Sequence, residues 1–318
     1  MAQTRARTRL SDGRVRDARR YELPEYARRT RRRLNPAVTM VLLTGLSAIG
    51  LAGFVSVSAM FSDPGRPTAG GGAAAGSGVA SRGPDVLTDN PLYEGERLTE
   101  VTCPAPELDP DDPESMAAFL HEITDCLDKA WSEEFAETDM AFERPTRVYW
   151  YASGQSPCGN FPAEGTAAFY CQANKGLYLG VEDIVRNSGD NRHPEAYTFL
   201  LSHEYAHHVQ GEAGILTYFH SARGGKDSAQ DRHLMTRRSE LQANCLGGTF
   251  LGAIGDTFPI TDRAHANILK DAERRGDYST DDRTHGSPEN GGMWTAHGMD
   301  RGDPAACNTW IAREDLVE

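Results

Sequence analysis

The chain has 318 residues, enough for one sizeable domain with appendages, and a formal net charge of −13 at pH 7. Residues 1–33 hold twelve arginines against four acids, residues 34–62 hold no charge, and the rest sums to −21. Such an acidic body excludes nucleic acid as the main partner, because phosphate binding needs clustered cations.

The first element in chain order is the basic arm, residues 1–36. Behind it, Ala37 to Phe61 is uncharged and mostly apolar over 25 residues, and roughly 20 such residues span a bilayer. A soluble core helix of that length carries a polar face. A cleavable signal peptide has a shorter leader and a shorter apolar run, although Val57-Ser58-Ala59 has the small residues of a weak cleavage site. The expectation is one transmembrane helix over 37–61, with the arginine-rich N-terminus cytoplasmic and everything beyond Phe61 outside.

Residues 62–91 are rich in Gly, Ala, Ser and Pro. Such sequence cannot bury enough apolar surface to order itself, so it is expected to tether an extracytoplasmic domain over 92–318. All six cysteines, Cys103, Cys126, Cys158, Cys171, Cys245 and Cys307, fall in that domain. An even count in an oxidising compartment points to disulfides, and none has the CxxC spacing of a structural zinc site.

Within the domain, Pro113 to Phe135 has helical spacing, with Met116, Phe119, Leu120, Ile123, Leu127 and Trp131 on one face. Arg147 to Ala152, Ala167 to Cys171 and Gly176 to Leu179 are short strand candidates, the last two joined by a turn at Asn174-Lys175-Gly176. A helix is expected from Pro194, a favourable first position, to about Gly211, and another from Arg237 to Leu251. Strands followed by helices predict an α+β domain.

The chemistry centres on His203-Glu204-Tyr205-Ala206-His207. In a helix, positions i and i+4 share a face, so the two imidazoles can hold one Zn2+. Glu204 is then placed to deprotonate the water such an ion activates. A catalytic zinc takes a third protein ligand. Positions 210 and 213, where an extended histidine pattern has Gly and His, hold Gln210 and Ala213. Glu240 is the leading candidate, with Asn244 one turn later to hold a ligand imidazole. His220, His233, Asp256 and His265 are alternatives. His285, in a loop, is the candidate electrophile that steadies an oxyanion. His208 and Tyr205 point elsewhere around the helix and suit packing.

HEYAHHVQ, ELQANC, THGS and GDPAACNTW occur in that order, after CGN…FYCQANKGLYL. The stretch from Cys103 to Trp310 thereby resembles the neutral zinc metallopeptidases of bacteria. The resemblance implies a membrane-anchored, zincin-like peptidase acting on peptides or proteins, with a thermolysin-like zinc site. Its ligands are then His203, His207 and Glu240, and its base is Glu204. It also implies disulfides Cys158–Cys171 and Cys245–Cys307, which leaves Cys103 with Cys126. Two positions depart from the family's pattern: Asn244 stands where Asp is usual, and Gly291 where a basic residue is usual. Two other readings use the same residues: a zinc-binding envelope protein without catalysis, and an amidase acting on wall peptides.

Overall fold

The computed structural model describes residues 83–163, 166–188 and 192–318. The basic arm, the apolar run at 37–61 and the tether as far as residue 82 lie outside the described residues. Among the described residues, no helix is long and apolar enough to cross a membrane. The end of the stretch expected as tether is packed onto the domain. Helix α1 (Asp85–Thr88) buries Val86 and Leu87, and Asn90 donates to Val86 O and Ala213 O, both at 2.9 Å.

Helix α2 (Pro113–Glu137) starts where Asp112 accepts from the Glu114 amide and Pro113 occupies the first turn. The apolar face read from the sequence is fully buried, and Phe135 extends it by a further turn. Strands β1 (Thr146–Trp150), β4 (Ala168–Cys171) and β5 (Gly176–Gly180) form a sheet in the order β1-β5-β4. The central strand β5 pairs parallel with β1, from Thr146↔Gly176 to Trp150↔Gly180, and antiparallel with β4, from Ala168↔Leu179 to Cys171↔Gly176. Its burial along the whole length follows from that central place. Between β1 and β4 lies a hairpin of β2 (Gly154–Ser156) and β3 (Gly159–Phe161). The Cys158–Cys171 disulfide ties this hairpin to the sheet. Trp150, Phe161 and Tyr178 fill a small aromatic cluster there.

The remaining helices are α3 (Val181–Asn187), α4 (Pro194–Glu212), α5 (Ile215–Gly224), α6 (Ala229–Ile254), α7 (Asp262–Arg274) and α8 (Pro288–Arg301). Helix α4 is buried nearly all round, with Tyr197, Phe199, Leu201, Tyr205 and Val209 each fully buried. It lies among α2, β4 and α6. Helix α6 begins at Ala229, capped by Ser228, eight residues before the sequence-based start at Arg237. Its first two turns are mostly polar and partly exposed, so no apolar period marks them.

Two glycines let α6 meet its neighbours at backbone distance. A Cβ on Gly247 would stand 3.2 Å from His203 N of α4, and one on Gly298 of α8 would stand 2.0 Å from Cys245 O. The first contact sets the two site-bearing helices side by side. The cysteines pair as Cys103–Cys126, Cys158–Cys171 and Cys245–Cys307, the set the resemblance implies.

Candidate active site and metal centre

His203 and His207 project from one face of α4, with ring centroids 4.9 Å apart and planes nearly perpendicular. Glu240 reaches them from α6. Its Oε2 lies 3.4 Å from His203 Nε2 and 3.3 Å from His207 Nε2. Among the described residues, these three form the one group of metal-capable side chains whose ligand atoms lie within 4.8 Å of one another. The alternatives His220, His233, Asp256 and His265 are outside it.

The spacing gives a direct test of fit. Two donors each about 2.0–2.1 Å from a metal, at the tetrahedral angle, stand about 3.3–3.4 Å apart. The observed separations match that edge. The side chains are 12, 14 and 12 % exposed for His203, His207 and Glu240, so the site is nearly enclosed but reachable.

The far side of each imidazole supports the same reading. His203 Nδ1 meets Asn244 Oδ1 at 2.8 Å, and His207 Nδ1 meets Gln210 Oε1 at 2.9 Å. An amide oxygen only accepts, so each Nδ1 carries the proton and each Nε2 is left to face the ligand position. The Gln210 amide is oriented by its surroundings. Its Nε2 donates to Ser239 O at 2.9 Å and to Gln242 Oε1 at 3.0 Å, which turns Oε1 to His207. Gln210 was missed as a functional residue by sequence reasoning. The available signal was an amide three residues after the second histidine, on the same side of the helix.

Within the site the charges act strongly on one another. Burial works against the His207 imidazolium, yet Glu240 and Glu204 outweigh it and push its pKa up to about 9. Burial likewise opposes ionisation of Glu240, and the facing imidazoles overcome it and hold the carboxyl well below its usual range. Glu204 differs. Burial raises its pKa, Glu240 adds to the rise, and His203, His207 and Arg275 only partly offset it. A carboxylate pushed upward is better matched to accepting and returning a proton near neutral pH.

His285 sits in the loop between α7 and α8, close enough to Glu240 and His207 for their charges to act on it. Asp277 holds it in place. Asp277 Oδ2 accepts from the His285 amide at 2.7 Å and from the Thr284 amide, while Oδ1 lies 3.5 Å from His285 Nδ1. Burial lowers the His285 pKa, but Asp277 and Glu240 bring it up to about 8. Asp277 is a second residue that sequence reasoning missed, since it precedes His285 by a loop of no regular period.

His208 and Tyr205 do pack, as their helical angles predict. His208 meets Glu143 O and Tyr170 Oη, and Tyr205 donates to Asp128 Oδ1 at 2.6 Å.

Residues 99–310 match the family model described as "Putative neutral zinc metallopeptidase". The chain belongs to this family. Among the relatives of this chain is "Uncharacterized protein YpfJ" of Escherichia coli (strain K12). It is 26% identical over 210 residues, covering 61% of this chain and 71% of the relative. "Uncharacterized protein Rv2575" of Mycobacterium tuberculosis (strain ATCC 25618 / H37Rv) is 30% identical over 186 residues, or 51% of this chain and 61% of the relative. No solved structure matches this chain significantly. The two departures from the family's sequence pattern are neighbours in space: a Cβ on Gly291 would stand 3.6 Å from Asn244 Nδ2.

Proposed function

We propose that the chain is a zinc-dependent peptidase, with His203, His207 and Glu240 holding Zn2+ and Glu204 as general base. The observation that carries this is the spacing of the Glu240 oxygen from both imidazole nitrogens, 3.4 and 3.3 Å, which is that of donors sharing one tetrahedral metal. When bound, zinc supplies Lewis-acid polarisation and makes a neighbouring water acidic enough for a carboxylate to deprotonate.

In this reading Glu204 accepts the proton of the attacking water and returns it to the leaving amine. His285, kept in place by Asp277, donates to the oxyanion that develops on the scissile carbonyl. Asn244 and Gln210 hold the ligand imidazoles so that both Nε2 atoms stay on target. The fold around the site is zincin-like in this reading, with both zinc-site helices following the short strands.

We place the domain outside the cytoplasmic membrane, anchored by the apolar run at 37–61 with the arginine-rich end inside. The three disulfides support an oxidising compartment. A peptide or protein is the proposed substrate.

Glu204→Gln tests the mechanism. The variant is expected to bind zinc as the parent does and to lose cleavage of denatured protein by at least about 10³-fold. Equal cleavage by both proteins, at equal zinc content, would remove Glu204 as the base. Wall-derived peptides run beside the protein substrates separate an amidase from a protein peptidase.

A further inference from the structure

Arg237 and Arg283 meet at one edge of the candidate site. Arg237 lies on α6 three residues before Glu240, and side chains at that spacing are neighbours on a helix. Its Nη1 donates to Arg283 O at 3.1 Å and its Nε to Val317 O at 2.7 Å. Arg283 is two residues before His285, in the loop between α7 and α8. Its Nε is shared between Asp277 O and Ser279 O, both at 3.2 Å. Both residues are partly buried.

Among the described residues, neither arginine is in ion-pair contact with a carboxylate. Nη2 of Arg237 and both terminal nitrogens of Arg283 make no hydrogen bond there. Arg147, Arg186 and Arg275, by contrast, each hold a carboxylate. The charge is what calls for an explanation, because contacts to carbonyls need a donor and not a cation. Two guanidinium groups this close repel each other, and partial burial weakens the screening. Burial lowers the Arg237 pKa and Arg283 lowers it further, while Glu318, Asp277 and Glu314 only partly offset them. Paired cations with unused donors, set in an acidic domain, suit an anion brought from outside.

The position says which anion. The pair adjoins Glu240 on one side and His285 on the other, so an anion held there belongs to whatever lies across the site. On the peptidase reading, on which this inference rests, that is the substrate chain. A third cation opens the same loop. Arg275 is fixed through Nε by Asp271 at 2.7 Å, and its charge reaches Glu204. We propose that Arg237 and Arg283 form a subsite for a carboxylate of the peptide substrate, so that the protein selects acidic peptides. A guanidinium offers parallel N–H groups that match a carboxylate in a way no neutral side chain of a peptide can use.

The test reads binding, so it does not depend on turnover. Labelled peptides are titrated into the zinc-loaded full chain carrying Glu204→Gln, and fluorescence anisotropy gives the affinity. Matched peptides carry Glu or Gln at each position in turn, with a free or an amidated C-terminus. A carboxylate should tighten binding about tenfold, and the advantage should shrink as salt is raised. An advantage kept in amidated Glu peptides assigns the subsite to a side chain, and one confined to free ends assigns it to the terminal carboxylate. Adding Arg237→Gln or Arg283→Gln should each cut the advantage about threefold or more and leave neutral peptides unaffected. Arg237→Lys should keep more of it than Arg237→Gln, which separates the charge from the carbonyl contacts, and Arg283→Gln serves if the Arg237 variants do not fold. Equal binding of acidic and neutral peptides overturns the proposal and leaves the peptidase reading standing. An advantage that survives in both Gln variants would belong to the metal and also overturns it. Binding of no peptide at all would overturn both.

Discussion

Both imidazoles of the proposed metal centre are held by amides: His203 by Asn244 and His207 by Gln210. An amide orients the ring but lacks the charge with which a carboxylate raises ligand basicity. Loss of such a partner commonly costs about 10–100-fold in metal affinity. Gln210→Ala and Asn244→Ala should therefore each weaken zinc binding by about tenfold or more in competition with a chelator of known affinity. Unchanged affinity would reduce the network to packing. The His285 loop makes a different prediction, because His285 is outside the converging ligand group. His285→Ala should retain zinc and lower kcat by about 10²–10³-fold, the usual cost of one oxyanion donor. Loss of zinc along with activity would mean that His285 supports the ligands instead. The pairing of Gly291 with Asn244 in space has a simple physical reading. A chain with a neutral amide at 244 has no buried carboxylate for a basic side chain at 291 to neutralise.

At the scale of elements, what could be seen in the sequence depended on period. Helix α2 was visible because six apolar residues repeat on one face, and α4 because Pro194 opens it and apolar residues surround its motif. The start of α6 was not visible, since residues 229–236 are mostly polar, with no apolar period, and their helicity comes from the Ser228 cap and the length of the helix behind them. Helix α8 was invisible for the opposite reason. Its glycines are poor helix formers, and their value lies in the close approach to α6 that only the fold reveals. The candidate site was readable at His203, Glu204 and His207 from spacing alone. Glu240 needed the resemblance, and Gln210 and Asp277 needed the structure.

Helix α8 also predicts a pH effect. Burial lowers the His297 pKa, and Arg301 lowers it further, to about 4. Its unfolded value is near 6.5, so its folded value is depressed. The neutral form favoured by the fold contributes stability above about pH 6.5, and that stability is lost as pH falls toward 4. For a partly exposed ring the loss is at most about 2–3 kcal/mol. Urea unfolding at pH 7 and pH 4.5 should show His297→Gln narrowing the difference between the two. An unaltered difference would assign the acid sensitivity to other groups.

The whole molecule determines how the metal and the fold depend on each other. In small zinc domains the ion is the core, and the apo chain unfolds. Here α4 and α6 are built into a core of fully buried side chains such as Trp131, Phe199, Leu201, Leu246 and Phe250. Asp128, itself 2 % exposed, joins Tyr205 of α4 to Arg147 of β1, each within 2.6 Å, so α4 is fastened to the sheet side independently of His203 and His207. Cys245–Cys307 fastens α6 to the C-terminal segment. A site on such a frame is preformed, and zinc bound there would add to stability by mass action alone. At a free zinc concentration 100 times Kd the gain is about 2.7 kcal/mol, or roughly 5–10 °C in Tm for a body of this size. A zinc-selective chelator should therefore lower Tm by that amount while the far-UV circular dichroism at 25 °C stays unchanged, and zinc should restore the Tm. Collapse of the helical signal on chelation would show that α4 and α6 need the ion to fold. An unmoved Tm would show that His203, His207 and Glu240 hold no zinc.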